Sequence, residues 1–145
     1  MKNILVLLAD WATGIFALLL ASFVTDTEFF WWHIPIGIAL SHLPDIYAVP
    51  ELLRRGRVSA SAGDMSDHRT FLHFPLISIP LSFLAAYFFG YWGWVLFFAI
   101  ALHLLNDLYG TGWGLRLLYP FSNRSFKVLS RRVNRLKSLL ISEQD

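Results

Sequence analysis

Residues 70–108 read TFLHFPLISIPLSFLAAYFFGYWGWVLFFAIALHLLNDL, two long apolar runs on either side of Gly90. A helix needs about 20 apolar residues to cross the hydrocarbon core of a bilayer at 1.5 Å per residue, and each run approaches that length. Pro75 lies near the start of the first run, where a missing N–H matters least, and Pro80 is expected to kink the helix. The short connection at Gly90 favours two antiparallel transmembrane helices.

Two further apolar stretches precede this pair. Residues 3–24 are interrupted only by Asp10 and a few small polar residues, and residues 29–43 open on the aromatic sequence FFWW. Aromatic side chains gather where acyl chains meet headgroups, so FFWW is expected to be an interface anchor. The 145-residue chain is 56% hydrophobic and only 15% charged, which is unlike a soluble domain. We therefore predict an all-α, polytopic membrane protein with four transmembrane helices.

The positive residues set the orientation of these helices. With the N-terminus in the cytoplasm, four spans place all twelve Lys and Arg residues on the cytoplasmic side, whereas the two outer loops carry only Asp26 and Glu28. Cytoplasmic loops of membrane proteins carry an excess of Lys and Arg. The sequence therefore predicts that both termini are cytoplasmic.

The chain after the fourth predicted span divides into two parts. Residues 110–120 are apolar but too few to cross, which predicts a re-entrant or interfacial loop. Residues 122–141 place apolar side chains opposite a basic face, a pattern typical of an amphipathic helix that lies on anionic headgroups. The predicted organisation is a four-helix membrane domain over residues 1–121 and a basic amphipathic cytoplasmic tail over residues 122–145.

Ionisable side chains occur in three short clusters, each at the end of an apolar stretch. The clusters are His42 with Asp45, His68 with His73, and His103 with Asp107. The predicted topology brings all six residues to the cytoplasmic leaflet, and Asp10 lies two turns into the first helix from the same side. Because an ionisable group in hydrocarbon is costly, such residues indicate a functional site by default. Cysteine is absent, so any metal ligands here would be His and carboxylate groups.

Two of the clusters have a spacing that suits metal ligation, and each also has a purely structural explanation. His103 and Asp107 are four residues apart, so both project from one face of a helix as paired ligands do. A His–Asp hydrogen bond that ties two helices together explains this pair equally well. His42 and Asp45 are three apart around Pro44, which is expected to end the helix and turn the carboxylate inward. Taken alone, that pair is better explained as a cap at the membrane interface.

The remaining ionisable residues also allow more than one interpretation. His68 and His73 are five apart, and both face the bundle only if His68 lies in a turn before the helix. Arg69 is suited to balance a carboxylate or to grip an anionic substrate group, although an ordinary positive-inside charge explains it about as well. Asp10 has three possible interpretations. It orients a ligand histidine, it bridges two metal ions, or it is a buried polar residue that packs between helices. His33 lies at the outer face beside tryptophans, and we interpret it as an interface residue and not a ligand.

The composition of the clusters favours a metal site, and a serine nucleophile paired with one of the histidines stays open as an alternative. The chain contains no Gly-x-Ser-x-Gly elbow, P-loop or Rossmann fingerprint. A His and carboxylate set favours zinc, with manganese or iron as alternatives, and six to seven ligands are enough for one or two ions. Such a site activates water and clamps the oxygens of a phosphoester. At the inner-leaflet boundary the expected substrate is an amphiphilic small molecule, such as a phospholipid or a polyprenyl phosphate.

Four elements of the sequence, taken in order, resemble the small bacterial inner-membrane proteins called membrane-bound metal-dependent hydrolases. The matching elements are Ser41-His42-Leu43-Pro44-Asp45, His68-Arg69-Thr70-Phe71-Leu72-His73, His103-Leu104-Leu105-Asn106-Asp107, and GWGLRLLYPFS at residues 112–122. The resemblance implies a divalent-metal site and a location in the bacterial inner membrane. Two positions depart from the family pattern: Asp10, before Thr13 and Gly14, stands near where the family often has Thr-His, and Leu72 stands where it often has Thr.

The leading hypothesis is a hydrolase of an ester or phosphoester of a membrane-associated substrate at the cytoplasmic leaflet. The expected metal ligands are His42, Asp45, His68, His73, His103 and Asp107. Catalytic roles are expected for Asp45, His68, Arg69 and Asp10. Arg69, together with Arg116, would hold substrate charge.

Two other classes of function remain open on the sequence alone. The first is a non-enzymatic membrane adaptor whose basic tail recruits a cytoplasmic protein or anionic lipid. The second is an ion or proton carrier, which is disfavoured because the outer leaflet has no comparable polar residues. Membrane lipids are expected partners in every case, and no nucleic acid is expected. Few small-xxx-small patterns occur, so the sequence makes no prediction of oligomeric state.

Overall fold

The computed structural model describes residues 2–46, 71–109 and 115–122, together with residues 124, 126 and 128. Within these ranges the chain is mostly helical and contains no β-strand. The helices are α1 (Lys2–Thr25), α2 (Ile34–Ser41) and α3 (Pro75–Tyr109). Three short 3-10 turns flank them, at Trp31–His33, Leu43–Asp45 and Phe71–His73.

Helix α3 is a hairpin that turns at Gly90. Gly90 has φ 54° and ψ −129°, a conformation that glycine adopts without the steric cost of a Cβ, and it is the one non-helical position inside α3. A Cβ placed on Gly93 would overlap the carbonyl oxygen of Ala85, so residues 75–89 and 91–109 are in direct contact. The predicted turn is therefore present. Pro80 lies inside the first half without a departure from helical backbone angles.

The structure supports membrane character but changes the expectation for the second apolar stretch. Two helical segments are long and apolar enough to cross a membrane, Leu8–Thr25 and Pro75–Tyr109. Large apolar side chains such as Phe23 (86% exposed) and Phe89 (72% exposed) point away from the protein core, as side chains in contact with lipid do. Helix α2, in contrast, has only 8 residues and cannot cross by itself. Four spans with cytoplasmic termini stay a prediction.

Helices α1 and α2 are in backbone contact because both carry glycine where they cross. A Cβ added to Gly14 would lie 2.7 Å from the carbonyl oxygen of Gly37. Small residues allow helices to approach closely in this way. On its other side α1 packs against α3 through a core of small and aliphatic side chains, Ala17, Leu18, Ala21, Val95 and Ala99. These contacts fix the end of α2 that leads into His42 relative to the other helices.

The segment after α3 folds back against the end of that helix. Leu115 is buried with Ile100 and Leu104, and it forms an isolated antiparallel bridge with Phe126. The predicted amphipathic helix does not begin at Ser122, because the described residues 122, 124, 126 and 128 are not helical. The backbone there pairs with other segments instead. The rest of the predicted tail lies outside the described residues.

Candidate metal centre

Three chain segments deliver side chains to one point. Asp45 ends the 3-10 turn Leu43–Asp45, and the fixed φ of a proline within this turn helps to stop α2 just before it. His73 ends the 3-10 turn Phe71–His73 immediately before α3. His103 lies near the end of the returning half of α3. Because the α3 hairpin brings its two ends together, His73 and His103 meet although they are 30 residues apart, with ring centroids 5.6 Å from each other.

The ring nitrogens and carboxylate oxygens of these residues converge. His73 Nε2 lies 3.2 Å from Asp45 Oδ1, and His103 Nε2 lies 3.7 Å from Asp45 Oδ2. Asp107 Oδ2 is 3.9 Å from both nitrogens, so it completes a group of four. One ligand atom each from Asp45, His73 and His103 can be chosen so that all three lie within 4.8 Å of one another.

These distances suit ligands of a shared ion better than a hydrogen-bonded network. A separation of 3.7 or 3.9 Å is too long for an N–H···O hydrogen bond. Two ligands about 2.0–2.1 Å from a tetrahedral ion are roughly 3.3 Å apart, and wider coordination angles increase that separation. The observed separations of 3.2 to 3.9 Å fall in this range. His, His and carboxylate are also a donor set that zinc, manganese and iron accept.

The burial of the two imidazoles supports the same interpretation. His73 and His103 are 6% and 5% exposed. His73 Nδ1 and both ring nitrogens of His103 are buried and have no hydrogen-bond partner among the described residues. Leaving a buried polar atom unsatisfied costs about 1–3 kcal/mol, so such atoms require an explanation. A divalent ion held by these carboxylates and Nε2 atoms would give His103 Nε2 a partner and balance the negative charge, whereas the two Nδ1 atoms would keep no partner among the described residues.

Asp45 is poised to remain ionised at neutral pH. Partial burial acts to raise its pKa, but the hydrogen bond with His73 and the nearby charges of His103, His73 and His42 act to lower it. The net effect is a pKa below the ordinary value of an aspartate. The side chain is 49% exposed and that of Asp107 is 32% exposed, whereas the imidazoles are covered. The carboxylates therefore form the accessible side of the cluster.

His42 and Asp10 lie beside this cluster. His42 Nδ1 is 2.9 Å from the carbonyl oxygen of Ile38, which favours the tautomer that donates from Nδ1 and keeps the lone pair on Nε2. Asp10 is close enough to interact electrostatically with His103 and His42, and with the like-charged carboxylates of Asp45 and Asp107. His42 and Asp10 are thus placed to bind a second ion, or to orient the side chains that would hold the first.

Ser41 joins α1 to α2 next to these residues. Its hydroxyl is 2.9 Å from the carbonyl oxygen of Asp10 and 2.8 Å from that of Ile38. We expect Ser41→Ala to lower the free energy of unfolding by about 1 kcal/mol, because a buried hydrogen bond between helices is lost. Thermal unfolding in detergent, followed by circular dichroism, measures this change. Thr27→Ala, at an exposed hydroxyl, is the control, and equal stability of both variants and the parent would contradict the prediction.

The predicted site residues have different outcomes. The structure brings together Asp45, His73, His103 and Asp107, with Asp10 and His42 alongside. His68 and Arg69 lie outside the described residues. Arg116 is described, and its Nε is buried without a hydrogen-bond partner in the described part of the chain. The role of Ser41 as a link between helices was not predicted, because a single serine in an apolar stretch gives no signal of its partner.

His33, interpreted from the sequence as an interface residue and not a ligand, is only 4% exposed. Its ring packs against Trp32, with centroids 4.0 Å apart, and its Nδ1 lies 3.3 Å from the hydroxyl oxygen of Tyr91. Tyr91 directly follows the Gly90 turn, at the opposite end of the α3 hairpin from His73 and His103. His33 is therefore separate from the candidate metal centre.

Comparison with known proteins identifies one family. The model of the family described as YdjM inner membrane protein matches residues 10–142, which include every residue of the candidate centre. The family description gives a location and no activity. No curated protein and no solved structure matches the chain significantly.

Proposed function

The chain belongs to the YdjM inner membrane protein family, and from this premise we propose that it is a metal-dependent hydrolase acting on an ester or phosphoester of a lipid-like substrate. The observation that carries the proposal is the convergence of Asp45, His73 and His103 from separate segments at one end of an apolar hairpin. A structural salt bridge needs one carboxylate and one cation. Here two carboxylates face two buried imidazoles with unsatisfied nitrogens, which is the composition of a metal centre.

Each residue has a distinct part in this proposal. The Nε2 atoms of His73 and His103, with the carboxylates of Asp45 and Asp107, would hold a divalent ion, and zinc is the first choice with manganese or iron as alternatives. Such an ion supplies Lewis-acid polarisation of a carbonyl or phosphoryl oxygen and activation of water at neutral pH. His42 and Asp10 would bind a second ion or fix the orientation of the first.

Proton transfer and substrate binding fall to residues around the ion. Asp10 is a carboxylate within electrostatic range of the cluster, and it is suited to accept a proton from the attacking water. His68 is proposed as a further ligand or base. Arg69 is proposed to hold the negative charge of the substrate, since a guanidinium pairs with phosphate in bidentate fashion. The site is proposed to open to the cytoplasmic leaflet.

Metal analysis with a matched pair of histidine variants tests this function. We expect the protein purified in detergent to contain a divalent ion, and His103→Gln to bind it at least about tenfold more weakly because an Nε2 ligand is lost. His33→Gln is the control, since His33 is equally buried but lies at the other end of the hairpin. Elemental analysis by mass spectrometry gives the metal content of all three proteins.

Hydrolysis is measured on the same preparations. The probe is bis(4-nitrophenyl) phosphate, a phosphodiester without a hydrocarbon chain. A chelator should abolish its hydrolysis, and added Zn²⁺ or Mn²⁺ should restore it. The proposal is overturned if the purified parent protein binds no divalent ion after metal supplementation, or if His103→Gln and His33→Gln retain metal equally.

A further inference from the structure

An apolar groove of about 490 Å³ runs along the first half of α3. Its small side chains are Ser78, Ser82 and Ala85, at intervals of four and three residues, so they line one face of the helix. Leu96 and Ile100 of the returning half of α3 lie across from them. The spacing explains the groove, since a stripe of small residues between larger neighbours leaves a channel along the helix.

One end of the groove lies beside the candidate metal centre. Leu43 and Ile46 belong to its lining and bracket Asp45 in the sequence, and Leu72 of the lining directly precedes His73. The opposite end is formed by Phe88 and Phe89, next to the turn of the hairpin. The groove therefore leads from the candidate ligands into the apolar part of the protein.

The chemistry of the lining selects a hydrocarbon. The Ser78 hydroxyl donates to the carbonyl oxygen of Phe74 at 3.1 Å, and the Ser82 hydroxyl donates to that of Ile79 at 3.0 Å. The polar side chains among the described residues of the lining are thus satisfied by nearby backbone carbonyls. A peptide or a sugar in this groove would lose its hydrogen bonds to water without replacement, whereas an alkyl chain would not.

The dimensions of the groove select a single chain of moderate length. A methylene group occupies about the volume of a water molecule in the liquid, roughly 30 Å³, so the groove accommodates on the order of 16 carbon atoms. The lining extends from Phe71 to Phe89, which is about 27 Å at 1.5 Å per residue and close to the full hydrocarbon core of about 30 Å. A single extended chain that starts beside the metal centre and runs towards the turn at Gly90 fits these limits. A polyprenyl chain is several times too long.

We propose that this groove binds one acyl chain of a glycerophospholipid from the leaflet that faces the metal centre. The inference rests on the proposed function in one respect, because it places the ester or phosphodiester of that lipid beside Asp45 and His73. The second acyl chain stays in the bilayer. The groove would thereby determine which class of lipid and which length of acyl chain the protein accepts as a substrate.

Photo-crosslinking tests occupancy of the groove without relying on activity. The probe is a phosphatidylglycerol with a diazirine at the end of one 16-carbon chain, incorporated into proteoliposomes with the full-length protein. We expect adducts to concentrate on residues 84–89, relative to the lipid-exposed Phe23 of α1. Excess unlabelled phosphatidylglycerol should reduce these adducts, and undecaprenyl phosphate should not. An even distribution over all exposed apolar residues, or stronger competition by undecaprenyl phosphate, would overturn the proposal.

A variant that fills the groove provides the second arm. Ala85→Phe should reduce the adducts on residues 84–89 roughly tenfold, because an enlarged side chain occupies the channel. Leu19→Phe, which enlarges a lipid-exposed side chain outside the groove, should leave them unchanged. Unchanged adducts in Ala85→Phe would contradict the assignment. Ala85→Leu repeats the test with a smaller insertion if the phenylalanine variant fails to fold.

The two proposals fail in different ways. Leu19→Phe, which lies outside both the groove and the metal centre, should keep the metal content of the parent protein and its hydrolysis of bis(4-nitrophenyl) phosphate. Even adducts together with intact hydrolysis of the probe would reject the acyl-chain site alone. Concentrated adducts in a protein that binds no metal would reject the hydrolase and leave a lipid-binding site.

Discussion

Asp45→Asn is expected to lower the affinity for the divalent ion by at least about 100-fold, since losing even an outer partner of a ligand commonly costs 10- to 100-fold. Asp45 is the residue with the largest expected effect because its two carboxylate oxygens face two different histidines, His73 at 3.2 Å and His103 at 3.7 Å. The amide of asparagine has a similar shape but no charge. Hydrolysis of bis(4-nitrophenyl) phosphate should fall with the metal content. Elemental analysis and the hydrolysis rate measure both effects.

Asp26→Asn is the matched control for this substitution. Asp26 is an exposed carboxylate just after α1, and its φ of 52° is a conformation that asparagine tolerates well. The control should keep the metal content and the hydrolysis rate of the parent protein. Retention of the ion by Asp45→Asn at the parent level would show that Asp45 is not a ligand.

The meeting of distant residues at one site was the most predictable feature. His73 and His103 are separated by the whole α3 hairpin, yet their convergence follows from two facts in the sequence. Each lies near an end of an apolar run, and the runs are joined by a short turn at Gly90. Two antiparallel helices of similar length must bring their outer ends together. The sequence therefore indicates that His73 and His103 lie at the same end of the hairpin, although it gives no distance between them.

The shape of the second apolar stretch was less predictable. Residues 29–43 have the composition of a membrane span, but the structure divides them into a 3-10 turn at Trp31–His33 and the short helix α2. Hydropathy measures how apolar a segment is, and it does not distinguish a span from a short helix that packs between two longer ones. The contact of His33 with Tyr91 and Trp92 was missed for the same reason: these two residues are 58 and 59 positions away in the sequence.

Helix contacts at small residues also could not be predicted. Glycine occurs at nine positions in the chain, and the sequence does not show which of them face another backbone. Gly14 and Gly37 allow the close approach of α1 and α2 only together, because each leaves the space that the backbone of the other occupies. This contact fixes α2, and α2 leads directly into His42 and Asp45. The geometry of the site therefore depends on two glycines whose side chains can neither bind a metal nor take part in catalysis.

Gly14→Ala is accordingly expected to weaken both the fold and the site. In an ordinary helix this substitution stabilises by roughly 0.5–1 kcal/mol, so any loss of stability must arise from the contact with α2. The new Cβ would lie 2.7 Å from the carbonyl oxygen of Gly37 and 2.8 Å from the Cα of Ile38. Backbone atoms cannot rotate away, and overpacking of this kind costs about 1–3 kcal/mol. The helix must shift, and a shift of about 1 Å in a catalytic group can lower turnover about 100-fold.

Gly37→Ala provides the comparison from the other side of the same contact. Its Cβ would lie nearest to Leu18 Cδ1, at 2.5 Å, and 3.0 Å from the carbonyl oxygen of Gly14. The nearest atoms, Cδ1 and also Cγ at 2.7 Å, belong to a buried side chain and not to the backbone, so a rotamer change of Leu18 is expected to cost less than a shift of the helices. We therefore expect Gly37→Ala to keep more stability, metal and hydrolysis than Gly14→Ala, as measured by thermal unfolding in detergent and by elemental analysis. If Gly14→Ala is instead the more stable variant with full metal content, the close crossing of α1 and α2 does not determine the position of Asp45.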